Sequence, residues 1–377
     1  MLLGGPTGFS VGWLPIMQLL HDVRAVATQF QILGDFVAAE PYGHGHINDT
    51  YRSTFTHRGA PAHYIHQRIN HKIFKDPVAL MDNIQRVTTH LQTKLAGTPA
   101  AGRSALTLIP TRAGQSFLLD AAGHYWRTYI FIENAQSYDA VQSPAQAFAA
   151  ARAFGQFQQL LADLPAPRLH DTIPDFHHTA KRYAQFERAL AADVANRAQS
   201  AAPEIAFAQR LQPLTGALLA AGLPERITHN DTKLNNVMLD DATGAGLCVI
   251  DLDTVMPGLV LYDFGDLVRT STSPALEDER DLSKVTLQFP MFEALVRGYL
   301  STAGAFLTPA ERNHLVLAGQ VITLEIGLRF LTDFLAGDTY FKVHRPGHNL
   351  DRCRTQFRLI ESITQQEPAL HRLVERL

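Results

Sequence analysis

The chain has 377 residues, enough for two domains. Hydrophobic residues make up 46% and charged residues 18%, which supplies a large core and excludes a disordered chain. The formal net charge of -3, with no basic block, excludes a nucleic-acid partner held through its phosphates.

The first twenty residues carry no charge, but Gly4, Gly5, Pro6, Gly8, Gly12 and Pro15 interrupt the apolar core that a signal peptide needs. Residues 1–16 are expected to be a disordered extension of a protein that starts folding near Met17. No other stretch reads as long, apolar and charge-free enough to span a bilayer, so no membrane partner is expected. Cys248 and Cys353 make no disulfide framework, and a cytoplasmic location fits them.

Gln18 to Phe30 predicts an amphipathic helix, with Val23, Val26, Ala27 and Phe30 at helical spacing. A β-rich stretch follows from Asp35 to Ile69, turning at Tyr42-Gly43-His44-Gly45-His46-Ile47-Asn48-Asp49-Thr50-Tyr51. Gly43 and Gly45 let the backbone approach phosphate oxygens closely; the plainer alternative is a hairpin turn. His44 and His46 lack a third ligand nearby and are expected to face solvent. Asp76 as N-cap and Pro77 at the first helical position open a helix to about Leu95. Further strands are expected at Leu106–Ile109, Phe117–Leu119 and Tyr125–Ile132.

From Pro144 on, the pattern is helical: Pro144–Leu161 capped by Ser143, then Ala180–Ala198 and Ile205–Ala221. Long helices at about Leu287–Ser301, Pro309–Phe334 and Asn349–Leu377 complete the chain. The fold class is α+β, with an N-terminal lobe over residues 17–135 and a C-terminal lobe over 136–377.

The chemistry concentrates in Ile227–Asp253. His229-Asn230-Asp231 is followed by Asn236, then by a hairpin that turns at Thr243-Gly244-Ala245-Gly246. The returning strand delivers Asp251 and Asp253. The spacing H-x-D-x-x-x-x-N, then an apolar strand ending in Asp, matches a kinase catalytic loop and its metal-binding Asp. Phosphoryl transfer needs this set: a carboxylate for the attacking hydroxyl and oxygen ligands for Mg2+. Asp231 is the base or orienter; Asn236 and Asp251 are metal ligands. Asp253 is a further metal, second-layer or substrate carboxylate. The later Asp263-Phe264-Gly265 is expected to start a helix, with Asp263 as its cap and Asp266 in its first turn.

HNDTKLNNVMLD and VIDLDTVMPGLVLYDFGDLVR resemble the aminoglycoside phosphotransferase superfamily, and within it the bacterial N-acetylhexosamine 1-kinases. The resemblance runs from about Glu40 to the C-terminal helices. It implies a protein-kinase-like bilobal fold, with an antiparallel N-lobe sheet, a helical C-lobe and ATP bound between them. It implies that Gly43, Gly45, Asn48 and Thr50 form the nucleotide loop, Asn48 standing where a third glycine is usual. The strand Ala62–Ile69 has Arg68 where protein kinases have a phosphate-binding Lys. Arg68 either binds phosphate or faces solvent on an edge strand, and Asp82 is a candidate partner for it. The backbone of Phe131 and Ile132, at the hinge, would bind adenine. Arg329 and Tyr340 would contact the sugar, unless Arg329 is the intrahelical partner of Glu325 or Asp333.

The implied reaction is transfer of the γ-phosphoryl of ATP to the anomeric hydroxyl of an N-acetylhexosamine, a small-molecule sugar acceptor. Two rivals stand beside it. One is a related kinase acting on an aminoglycoside, choline or homoserine, although Glu277-Asp278-Glu279 is too short an acidic run for a polycation. The other is a nucleotide-binding pseudokinase, which would lack Asp231, Asn236 or Asp251.

Overall fold

The computed structural model describes residues 21–43, 47–98 and 101–377. Gly45, His44 and His46 and the extension expected at residues 1–16 lie outside the described residues. The chain divides into two compact units, Met1–Asn70 with Ile109–Phe131, and His71–Leu108 with Ile132–Leu377.

The first unit holds α1 (Val23–Ala27), β1 (Asp35–Pro41), β2 (Asp49–His57), β3 (Ala60–Ile69), β4 (Leu118–Leu119) and β5 (Tyr125–Ile130). The strands form one antiparallel sheet in the order β1-β2-β3-β5-β4. Arg58 and Gly59, both at positive φ, make the two-residue turn between β2 and β3, as right-handed strand twist prefers. On β2, Tyr51 and Phe55 point inward and pack with Trp126, Phe30, Val23 and Val26. A polar row crosses the same sheet: His66 bonds the Ser53 hydroxyl at 2.7 Å and the Thr128 hydroxyl at 2.8 Å. Burial pushes the His66 imidazole down to about 4, so it is neutral near pH 7. Helix α1 is shorter than expected. Leu106–Ile109 forms no strand; Ile109 instead donates its N–H to the Thr128 carbonyl at 2.8 Å.

The second unit opens with α2 (Pro77–Leu95), capped by Asp76, whose carboxylate accepts from the N–H groups of Val78 and Ala79. Then come β6 (Ala135–Gln136), α3 (Pro144–Leu161), α4 (Thr179–Ala192), α5 (Ala202–Arg210) and α6 (Ala217–Ala220). The run expected as one helix over Ile205–Ala221 is broken because Pro213 has no N–H and clashes with the preceding turn. Helix α4 stops six residues early at Asp193, whose left-handed backbone ends it and whose carboxylate accepts from Arg197 and Ala198.

Strands β7 (Arg226–Thr228), β8 (Val237–Asp240), β9 (Gly246–Val249) and β10 (Met256–Gly258) make two small sheets, β6-β8-β9 and β10-β7. Helices α7 (Val260–Ser271), α8 (Phe289–Ala303), α9 (Pro309–Asn313), α10 (Leu315–Leu335) and α11 (His348–Arg376) follow. The long helix expected from Pro309 breaks at His314 into α9, which starts with a Thr308–Glu311 capping box, and α10. By length and composition α10 is apolar enough to cross a membrane, which corrects the reading that no such stretch exists. Most of it is buried within the unit, packed on α7, α11 and α4. A side chain at Gly265 would run into the Ala318 carbonyl, so this glycine serves the close approach of α7 to α10.

Candidate active site

β7 ends at Thr228, and the next three residues form a bend held from several sides. His229 is fully buried. Its Nε2 donates to the Ile250 carbonyl at 2.9 Å, and its Nδ1 accepts from the Asp231 N–H at 3.3 Å. Ile250 in turn donates its N–H to the Asn236 carbonyl at 2.9 Å. Both backbone groups of Ile250 are thus tied to the His229–Asn236 loop. Asp251, one residue on, is placed by that tie. Asp231 and Asn236 belong to one hydrogen-bonded assembly, and Asp251 follows Ile250, which that assembly binds.

The Asn236 amide donates to the Asp231 carbonyl at 2.8 Å and to its carboxylate at 3.0 Å. Lys233 Nζ lies 3.0 Å from the same carboxylate. Burial alone would raise the Asp231 carboxyl. The charge of Lys233, with the bonds from Lys233 and Asn236, outweighs it and holds the group below the usual carboxylate range. Asp231 is therefore ionised near pH 7. Asp251 adopts φ 58° and its side chain is exposed, whereas Asp253 is buried at 2% exposure, with its carbonyl bound by the Thr172 hydroxyl.

Asp263 departs from expectation. α7 begins at Val260, so Asp263 lies inside the helix and does not cap it. It is fully buried, and its carboxylate accepts from the N–H of His229 at 2.9 Å, the N–H of Asn230 at 2.7 Å and Gln158 Nε2 at 2.6 Å. It caps the His229–Asp231 bend, not its own helix. An Asp263→Ala variant leaves those two backbone N–H groups buried without acceptors. It should lose roughly 2–5 kcal/mol of unfolding free energy, read from urea denaturation.

On α10 the charge of Arg329 is one of the causes that hold the Glu325 carboxyl below its ordinary value, but it makes no ion pair there among the described residues. Glu325 bonds His177 and Thr179, and Asp333 accepts the backbone N–H groups of Thr339, Tyr340 and Phe341 at 2.8–2.9 Å. Among the described residues neither carboxylate bonds Arg329. Its guanidinium stands over the rings of Phe176, Tyr340 and Phe341, at 5.5, 6.0 and 5.7 Å. Tyr340 is 67% exposed, on a backbone that Asp333 fixes.

In the first unit, Gly43 has the left-handed φ of 75° that a glycine turn uses. Asn48 does not share it; its side chain instead accepts from the Asn70 N–H at 3.0 Å. Thr50 receives a bond from Gln67. Arg68 is on β3, a central strand and not an edge, and its guanidinium pairs with Asp49 at 2.5 Å. In the second unit, Asp82 bonds His170 at 3.1 Å. The Phe131 N–H is taken by the His63 carbonyl. In the second unit, Ile132 packs with Ala135, Met238 and Cys248.

The profile of the phosphotransferase enzyme family, APH, matches residues 38–293. The chain belongs to this family. Its architecture, an antiparallel-sheet region followed by a helical region, is protein-kinase-like. It is similar to a microcompartment-associated aminopropanol kinase, at TM-score 0.63 and 15% identity, with 93% of this chain and 98% of that one covered. It is also similar to a choline/ethanolamine kinase family protein from Mesorhizobium loti, at TM-score 0.53 and 18% identity, covering 94% and 99%. A spectinomycin phosphotransferase solved with ADP and spectinomycin matches at TM-score 0.51 and 12% identity, covering 91% and 95%. The chain is a small-molecule phosphotransferase of the APH family.

Proposed function

We propose that this protein is a cytoplasmic, ATP- and Mg2+-dependent kinase that phosphorylates the anomeric hydroxyl of an N-acetylhexosamine. The observation that carries the acceptor assignment is the guanidinium of Arg329 over Phe176, Tyr340 and Phe341. Three aromatic faces that would attract a cationic acceptor already face a cation of the protein. Arg182 stands near enough that burial and then the charge of Arg329 lower its own pKa. An amino alcohol or aminoglycoside would meet like charge here. A neutral sugar meets donors in a fixed plane and the phenol of Tyr340.

In this reading Asp231 orients the sugar hydroxyl and accepts its proton as the phosphoryl group arrives. Lys233 keeps that carboxylate ionised. Asn236 and Asp251 hold Mg2+, with Asp253 as a supporting carboxylate. Among the described residues no three His, Cys, Asp or Glu side chains are gathered as a metal site, so one or two carboxylates with Asn236, waters and phosphate oxygens would have to suffice. Mg2+ commonly keeps several waters and takes phosphate oxygens besides one or two carboxylates. When bound, the ion neutralises charge on the nucleotide phosphates. Gly43, Gly45, Asn48, Thr50 and Arg68 serve the phosphates, and the backbone of Phe131 and Ile132 serves adenine.

The test is a panel of sugars, amino alcohols and aminoglycosides with ATP and Mg2+, the phosphate position being read by 31P NMR. A hexosamine 1-phosphate supports the reading; turnover of amino alcohols alone overturns it. Within it, Arg329→Ala should raise KM for the sugar at least about tenfold and leave KM for ATP nearly unchanged. Lost ATP affinity with sugar affinity kept would place Arg329 on the nucleotide.

A further inference from the structure

Asn230, the residue before the proposed base, has φ 65°, a left-handed backbone that a non-glycine residue holds only when its surroundings fix it. Its N–H is bound by Asp263, and its side-chain amide donates to the Thr254 carbonyl at 2.9 Å. Its carbonyl, half of the peptide plane that leads into Asp231, accepts from His177 Nε2 at 2.9 Å. His177 comes from the segment between α3 and α4. Its Nδ1 is 2.8 Å from Glu325 Oε1, on α10, and Glu325 Oε2 accepts from the Thr179 hydroxyl at 2.7 Å. The rings of Phe176 and Tyr262 hold the imidazole at centroid distances of 4.7 and 5.3 Å.

We propose that His177 is a positioning residue: anchored by Glu325, it fixes the Asn230–Asp231 peptide plane and so aims the Asp231 carboxylate. The proton count makes the link directional. A carbonyl only accepts, so Nε2 carries a hydrogen, and one further proton lies between Nδ1 and Glu325. Burial alone would push the imidazole down. Glu325 and the Asn230 carbonyl outweigh it and hold His177 above its ordinary value, while Glu325 lies below its own. Both residues are buried. A buried charged pair is weak as a source of stability, because apolar side chains of equal volume do as well. What an apolar pair cannot do is bind a carbonyl. The same face of α10 presents Arg329, one turn after Glu325, and Phe176 under Arg329 precedes His177 in the chain. One helix face thus holds both the clamp and the proposed acceptor ligand.

The inference rests on Asp231 acting in phosphoryl transfer, so the experiment pairs kinetics with a readout that needs no acceptor. His177→Gln places an amide N–H where Nε2 was. His177→Asn reaches Glu325 but falls short of Asn230. A His177→Phe/Glu325→Gln double variant keeps the ring and leaves no unpaired carboxylate. In His177→Asn and the double variant, amide exchange of the segment 228–232 should accelerate at least about tenfold. In both, kcat should fall at least about thirtyfold, with KM for ATP and sugar each within about threefold. His177→Gln should recover kcat to within about fivefold of wild type. If His177→Asn exchanges and turns over like wild type, or if only KM moves, the assignment is overturned. If the double variant fails to fold, the Asn and Gln variants decide alone. A wild type that phosphorylates no acceptor sinks the kinase reading, and the exchange comparison still decides the positioning.

Discussion

Asp231→Asn should lower kcat by roughly a hundred- to a thousandfold while ATP affinity changes less than about twofold. Asn keeps the shape of the side chain and can still bond Asn236, so the bend keeps its other ties: His229 to Ile250, and Asp263 to two backbone N–H groups. What it loses is the charge that faces Lys233 at 3.0 Å and the capacity to accept a proton. The pH dependence should report the same group. Its carboxyl lies below the usual range, held there by Lys233, so the acid limb of turnover should fall at lower pH than an ordinary aspartate would give. A variant that keeps more than about a tenth of wild-type kcat would remove Asp231 from proton transfer.

The parts of this molecule that were legible in the sequence are those decided by neighbours in the chain. Asp76-Pro77 and Ser143-Pro144 start helices at the expected residues because a cap side chain and a proline act within one turn. The hairpin that returns to Asp251 is local, and its turn residues mark it. Local chemistry also explains one failure. Pro213 stops a run whose apolar spacing reads as a continuous helix, since a missing N–H outweighs periodicity.

What was not legible comes from far away. Asp263 serves residues 33 and 34 positions earlier, and Glu325 serves His177 across 148 positions. In a sequence, an acid within a helix reads as a surface group or a cap; only packing shows that it is buried and facing backbone N–H groups. Arg68 shows the same limit. Its strand was expected, but its partner Asp49 is set by the register of β2 against β3. The motif could be found without these supports, but its geometry depends on them.

Asp251→Ala should reduce turnover at least about a thousandfold at any practical Mg2+ concentration, because a hard cation beside phosphates needs a charged oxygen ligand. The choice of Asp251 over Asp253 follows from burial. Asp251 is exposed directly after Ile250, whose N–H and carbonyl are both bound by the His229–Asn236 loop, while Asp253 is 2% exposed. Backbone strain is a competing explanation that can be separated. Asp251 has φ 58°, where alanine costs about 1–2 kcal/mol and glycine almost nothing. Asp251→Gly should therefore unfold at higher urea than Asp251→Ala and be equally inactive. Titration of a fluorescent nucleotide analogue should show Mg2+-dependent binding weakened to the same degree in both variants. If activity followed stability, with the glycine variant regaining turnover, the loss would come from backbone distortion and not from the missing carboxylate. If excess Mg2+ or Mn2+ restored the full rate in both, Asp251 would be peripheral and the ligand role would pass to Asp253.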